Sequence, residues 1–284
     1  MCVVRTGLLL LALLAGWFAS AGAQEDSPAC HTDRGTVITE SIESAALGQS
    51  KEYRLYLPPG WCDAEALPLL VMLHGLHGDH TDWTNRGQLH LTADRLIALD
   101  AIAPLIILMP DGDDSFYVPG PDGDYERYIV DELIGQVAAR YPVADGRENR
   151  FIGGLSMGGY GALYLGLRHA DQFSAIGAHS AAVPGRNEAP FFPEWLFGAD
   201  LSLYEERDPV TLIRVDGWPD EMRLFVDVGS SDPLVLWSYE RVVQFLIDRR
   251  IPHEAHLWPG GHDWDYWSAH AGTYLRFYAG TDLN

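Results

Sequence analysis

The segment Phe151-Ile152-Gly153-Gly154-Leu155-Ser156-Met157-Gly158-Gly159-Tyr160-Gly161 constrains this chain more than any other. An apolar run of strand character enters Gly-x-Ser-x-Gly and a helical pattern leaves it at once, which puts Ser156 on a sharp strand-to-helix turn. Such a turn strains the serine backbone and exposes its hydroxyl, and Gly154 and Gly158 allow backbones to approach where a Cβ would intrude. The helix opening at Met157 directs its positive end toward charge developing beside that hydroxyl, so the Met157 N–H is a candidate oxyanion donor. A nucleophilic serine needs a base and an acid elsewhere in the chain. A glycine-rich turn whose serine merely caps a helix is the bland alternative.

The rest of the chain alternates strand-like and helix-like segments. Leu69 to Leu73 and Leu105 to Met109 are continuous apolar runs, as in strands covered on both faces, whereas Tyr53 to Leu57 alternates like a half-exposed strand. Phe151 to Leu155, Ala175 to His179, Leu224 to Val228 and Ala255 to Trp258 complete the set of candidate strands. Helical patterns run over about Leu89 to Leu99, Glu126 to Arg140, Met157 to His169, Tyr239 to Arg249 and Asp263 to Phe277. This predicts an α/β fold with a mostly parallel central sheet and helices on both faces. Residues 24–284 read as one domain. Within it Val183 to Pro219 interleaves Pro and Gly with Phe191, Phe192, Trp195, Phe197 and Trp218, which fits either a cap beside a cleft or a long connection that packs its aromatics.

Where a serine sits on this kind of turn, the chain order is nucleophile, acid, base. Of the late histidines, His262 follows the turn Pro259-Gly260-Gly261 at the end of a strand, while His253 and His256 lie at a strand entrance and His270 lies inside the last helix. His262 is therefore the expected base. The strand Leu224 to Val228 leads into Gly229-Ser230-Ser231-Asp232-Pro233, so Asp232 sits on a loop within reach of an imidazole; Asp227, inside the strand, is the rival. The second oxyanion donor is expected from the loop after an early strand, His74-Gly75-Leu76-His77-Gly78, with the Leu76 N–H as the candidate.

The same loop admits another chemistry, since His74, His77, Asp79 and His80 cluster as zinc ligands do after strands. The spacing departs from His-x-His-x-Asp-His, because Gly75 stands two residues before His77, and a metallohydrolase leaves the Ser156 turn unexplained. No metal and no cofactor is expected. A non-catalytic binding protein on the same fold is the third class, and the presence of all three candidate residues argues against it. A formal net charge of -21 excludes a nucleic-acid partner, which would require a basic face.

At the N-terminus Arg5 precedes the apolar run Gly7 to Ala19, and Ala21-Gly22-Ala23 follows, the layout of a secretory signal peptide over residues 1–23. An uncleaved signal anchor is the alternative; no later stretch is apolar enough to span a membrane. A secreted or periplasmic chain would retain Cys30 and Cys62, which suggests a disulfide, with two buried thiols as the alternative.

Taken together, these segments resemble the esterase D type of esterases, which includes S-formylglutathione hydrolases, tributyrin esterases, feruloyl esterases and the mycolyltransferases. The likeness runs from about Tyr53 to the C-terminus and rests on His74-Gly75-Leu76-His77-Gly78 with Trp83, Pro110-Asp111-Gly112, and Arg147-Glu148-Asn149-Arg150 leading into Gly154 to Gly161. Phe197-Gly198, Asp208-Pro209, Gly229 to Asp232 and Gly260-Gly261-His262-Asp263-Trp264 extend it. The resemblance implies an α/β-hydrolase fold and acyl-ester hydrolysis without cofactor or metal, with Ser156, Asp232 and His262 as the triad and Leu76 and Met157 as oxyanion donors. Acyl transfer of the mycolyltransferase type uses the same acyl-enzyme and is the alternative outcome. The expected substrate is a small-molecule or carbohydrate-linked acyl ester, with Phe116, Tyr117, Trp195 and Trp237 as candidates for an aromatic pocket.

Overall fold

A computed structural model describes residues 33–280. The proposed leader 1–23 and Cys30 lie outside the described residues. Eight strands form one sheet: β1 (Thr36–Ser44), β2 (Gln49–Leu57), β3 (Leu69–Leu73), β4 (Ile106–Pro110), β5 (Arg150–Leu155), β6 (Ala175–His179), β7 (Arg223–Gly229) and β8 (Glu254–Trp258). Their spatial order is β1-β2-β4-β3-β5-β6-β7-β8. β1 and β2 pair antiparallel, as do β2 and β4, and every later pairing is parallel.

Period-two alternation divides the strand side chains between two cores. Leu69, Val71, Leu73, Ile152, Ile176 and Val226 face one layer, with Leu70, Met72, Phe151 and Phe225 on the other. The first layer is closed by helices α2 (Ile134–Arg140), α3 (Met157–Arg168), α4 (Pro209–Asp216) and α5 (Leu236–Arg249). The second is closed by α1 (Leu89–Ala98) and α6 (Trp264–Tyr278). This is the α/β-hydrolase architecture, a mostly parallel sheet with helices on both faces.

The crossovers locate the functional edge. From β3 the chain passes through α1 on one face to β4, then returns past β3 to β5, which feeds α3 on the opposite face. The loops leaving β3 and β5 therefore diverge and open a crevice at the carboxyl ends of these two neighbours. His74 to Gly78 and Ser156 occupy that crevice.

Three local readings need correction. Tyr56 belongs to no exposed face of β2: it is fully buried, because α1 covers that face, and its hydroxyl donates to Asp94 Oδ1 at 2.7 Å. The expected single helix over Glu126 to Arg140 is a turn at Tyr125–Arg127, a π-helical stretch at Tyr128–Leu133 and then α2. In the middle stretch Glu132 reaches out to accept from Ser44 Oγ at 2.6 Å and Ala46 N–H at 2.9 Å, tying the helix to the end of β1. Finally, α5 starts at Leu236, not Tyr239. Segment 183–219 carries short helices at Glu194–Phe197 and Tyr204–Arg207 before α4, which Asp208 caps through the Thr211 N–H. Leu196, Phe197, Tyr204 and Ile213 of this segment are buried in the first core, while Phe191 is exposed.

Candidate active site

Ser156 follows the last residue of β5 and precedes the first of α3, with φ 55° and ψ -114°, a left-handed conformation costly for any residue bearing a Cβ. Its backbone is held from three sides: the N–H donates to His179 O at 2.9 Å, and its carbonyl accepts from Tyr160 and Ala182 N–H, both at 3.1 Å. The flanking glycines are required by contact. A Cβ on Gly154 would lie 2.5 Å from Gly158 O, and one on Gly158 would lie 2.5 Å from His74 O. The strain is thus paid within a closely packed junction of β3, β5 and β6.

His262 Nε2 lies 2.9 Å from Ser156 Oγ, and His262 Nδ1 lies 2.7 Å from Asp232 Oδ2. The other carboxylate oxygen, Oδ1, accepts from Leu234 N–H at 2.9 Å and Val235 N–H at 3.0 Å. Burial alone would push the Asp232 carboxyl up, but the hydrogen bond and charge of His262, with the two amides, outweigh it and hold the group below the usual carboxylate range. Asp232 thus presents a negative charge to the imidazole from an almost fully buried site. The loops carrying Asp232 and His262 are bonded to each other, Ser230 N–H to Trp258 O at 2.7 Å and Ser231 N–H to Gly260 O at 2.9 Å. Beyond His262, Asp263 caps α6 through the Tyr266 N–H, and the Trp267 ring stands edge-on to the imidazole at 5.0 Å.

The rival carboxylate is committed elsewhere. Asp227 is buried and accepts from His179 Nδ1 at 2.7 Å, Tyr266 OH at 2.7 Å and Tyr274 OH at 2.8 Å, while His179 Nε2 faces Tyr278 OH at 3.0 Å. This network joins β6, β7 and α6 beneath the site. His253 Nδ1 donates to Ile251 O, while His256 and His270 both stack on Trp258.

Gly75 brings the β3 loop against Ser156: a Cβ there would sit 2.6 Å from Leu155 Cδ1 and 3.5 Å from Ser156 Cβ. Among the described residues, neither the Leu76 N–H nor the Met157 N–H donates to another group. The histidines of this loop do not converge. His74 is buried between Gly75 O and Gly112 N–H, His77 Nδ1 pairs with Asp114, and His80 Nε2 is 3.7 Å from Glu52. Among the described residues no group of three His, Cys, Asp or Glu side chains is placed to hold a metal ion.

The aromatic candidates separate. Tyr117 is fully buried, its left-handed backbone turning the ring under α3 against Gly161 and its hydroxyl donating to His74 O at 3.0 Å. Phe116 turns the other way and packs edge-on against Tyr160, Phe192 and Trp195. Trp237 lies in the first turn of α5, its Nε1 donating to Leu234 O. Phe192 and Phe197 also line a cavity of about 410 Å³ within segment 183–219, rimmed by Glu194 and Asp200.

A family model described as "Putative esterase" matches residues 44–274. The chain belongs to this esterase family. The esterase is 30% identical over 224 residues to the acetyl esterase of Caldicellulosiruptor saccharolyticus, covering 72% of this chain and 81% of that one. It is 25% identical over 269 residues to the S-formylglutathione hydrolase of Paracoccus denitrificans, covering 84% and 90%. A solved ferulic acid esterase superposes with a TM-score of 0.76 at 27% identity, over 87% of this chain and 98% of that one. The protein is a serine carboxylic-ester hydrolase of the α/β-hydrolase fold.

Proposed function

We propose that this esterase cleaves acyl esters through a Ser156–His262–Asp232 triad and an acyl-enzyme. The observation that carries the reading is the unbroken relay of 2.9 Å and 2.7 Å from a strained serine to a buried, ionised carboxylate. Asp232 accepts Nδ1–H and so leaves Nε2 free to take the Ser156 proton as Oγ attacks the ester carbonyl. The oxyanion that forms is received by the Leu76 and Met157 N–H groups. His262 then passes the proton to the leaving alcohol, and water, activated by the same base, releases the acid.

Reaction of the pure protein with diisopropyl fluorophosphate is expected to place one diisopropylphosphoryl group on Ser156, located by peptide mass spectrometry, and to abolish p-nitrophenyl acetate hydrolysis in proportion. Hydrolysis that survives complete modification would sink the triad reading. The substrate we infer is a small-molecule or carbohydrate-linked ester, supported by the acetyl esterase and ferulic acid esterase named among its relatives. Phe116, Trp195 and Trp237 are the pocket residues we propose, with segment 183–219 as the cap over them. Rates on p-nitrophenyl esters of increasing chain length and on methyl ferulate order the acyl preference.

We further infer export, from the leader-like residues 1–23, and a Cys30–Cys62 bridge in the exported chain. The bridge would close a loop of about 31 residues and add roughly 2–4 kcal/mol. Exported protein denatured without reductant is expected to show no thiol toward Ellman's reagent and to lose stability on reduction. Two titratable thiols in the unreduced sample would rule the bridge out.

A further inference from the structure

We propose that His74 is a positioning residue that aims the Leu76 N–H into the oxyanion site, and that it does so only as the neutral Nδ1–H tautomer. The inference rests on the triad reading above and adds to it the group that orients one of the two donors.

His74 is the first residue after β3 and is 1% exposed. The Gly112 backbone N–H donates to its Nε2 at 2.9 Å. An amide can only donate, so Nε2 carries the lone pair and the ring proton resides on Nδ1. That proton is given to Gly75 O at 2.8 Å. Gly75 O also accepts from Gly78 N–H at 3.0 Å, so two donors fix the direction of one carbonyl. Among the described residues there are no cis peptides, and in a trans peptide C=O and N–H point in opposite directions. Pinning the Gly75 carbonyl toward the His74 ring therefore turns the Leu76 N–H the other way, on the loop whose Gly75 abuts the Ser156 Cβ. Burial, which lowers the basicity of the His74 imidazole, keeps it in the neutral form that this arrangement needs.

The His74 backbone completes the link. Its carbonyl accepts from Tyr117 OH at 3.0 Å and lies where a Cβ on Gly158 would collide with it, so the same residue touches the loop carrying Phe116 and the first turn of α3. Rotation of the ring would leave Gly112 N–H without its acceptor and Gly75 O with the Gly78 N–H alone.

Two substitutions separate the ring's two bonds. In His74→Asn the side-chain amide nitrogen falls near the place of Nδ1 and still donates to Gly75 O; in His74→Gln the amide oxygen falls near Nε2 and still accepts from Gly112 N–H, but no side chain donates to Gly75 O, which keeps the Gly78 N–H alone. Loss of one oxyanion donor costs about 100- to 1,000-fold in kcat, and a donor misaimed is expected to cost about 10- to 100-fold. His74→Gln should show that fall in kcat on p-nitrophenyl acetate, with KM within about twofold of wild type, while His74→Asn retains most of kcat. Equal kcat in the two variants, or a His74→Gln defect expressed in KM alone, would overturn the proposal. Should His74→Gln fail to fold, the imidazole 15N shifts of wild-type His74 decide: a protonated Nδ1 supports the proposal and a protonated Nε2 overturns it. Wild-type labelling of Ser156 by diisopropyl fluorophosphate is run alongside. If it fails, the triad reading falls; if it succeeds while the variants match each other, only the role of His74 falls.

Discussion

Ser156→Ala is expected to reduce kcat by about 10⁴-fold or more while leaving the thermal midpoint within a few degrees of wild type. The change removes Oγ and nothing that holds the turn. All three bonds that position residue 156 are made by its backbone, to His179 O and from Tyr160 and Ala182 N–H, and alanine meets the same left-handed backbone with the same Cβ. What disappears is the hydroxyl 2.9 Å from His262 Nε2, and neither water nor a neighbour is expected to take its place with that alignment. Progress curves with stopped-flow detection and differential scanning calorimetry on the same preparation test both halves. A folded variant retaining a tenth of wild-type kcat contradicts a serine nucleophile at this position.

The second large effect distinguishes two buried aspartates. In Asp232→Asn an amide replaces the carboxylate beside His262; its N–H₂ faces Nδ1 and favours the tautomer with the proton on Nε2, which can no longer accept from Ser156 Oγ. The loss in kcat is expected to be about 10⁴-fold, the size seen for the equivalent change in serine proteases, with little change in melting temperature because the remaining oxygen still accepts from Leu234 and Val235 N–H. Asp227→Asn should do the reverse. Three donors converge on Asp227, and an amide offers them one neutral oxygen in place of two charged ones and forces His179 into its other tautomer, so bonds to a charged acceptor are lost at a cost of about 1–3 kcal/mol. Its midpoint should drop by several degrees and its kcat, per folded molecule, should stay within about tenfold of wild type. If Asp227→Asn proves inactive and stable while Asp232→Asn works, the acid belongs on β7.

How far the sequence foretold this molecule depends on where the information is stored. Strands β3 and β6 match their apolar runs Leu69 to Leu73 and Ala175 to His179 to the residue, because burial on both faces leaves no ambiguity of period. The Ser156 turn was equally legible, since glycine at 154 and 158 is demanded by contacts within a few residues and between adjacent strands. Tyr56 misled because the alternation of β2 says nothing about what α1 lays over it; only the bond to Asp94, 38 positions away, reveals a second covered face. The break in the helix near Tyr128 carries no Pro or Gly, so nothing local announced it.

In the site, residue types and chain order singled out Ser156, Asp232 and His262, and the fold brings these three side chains within hydrogen-bond reach of one another. The supporting groups were beyond reach. The Leu234 and Val235 amides, the Trp267 ring and the two bonds of the His74 imidazole depend on side-chain direction across separate strands, and His74 read equally well as one of several loop histidines. The only hint was a polar ring placed directly after a fully apolar strand, where an unbonded imidazole would be costly.

The placement of the base has a consequence for durability. His262 is carried on the loop that leaves β8, the outermost strand, which has a hydrogen-bonded neighbour on β7 alone and leaves Leu257 half exposed. Elements with few buried apolar contacts can open at free energies below that of the whole domain. The nucleophile, by contrast, springs from β5 in the middle of the sheet. Activity is accordingly expected to fall at a lower temperature or denaturant concentration than the far-ultraviolet circular dichroism of the interior strands, and coincident transitions would show that this border opens only with the whole domain.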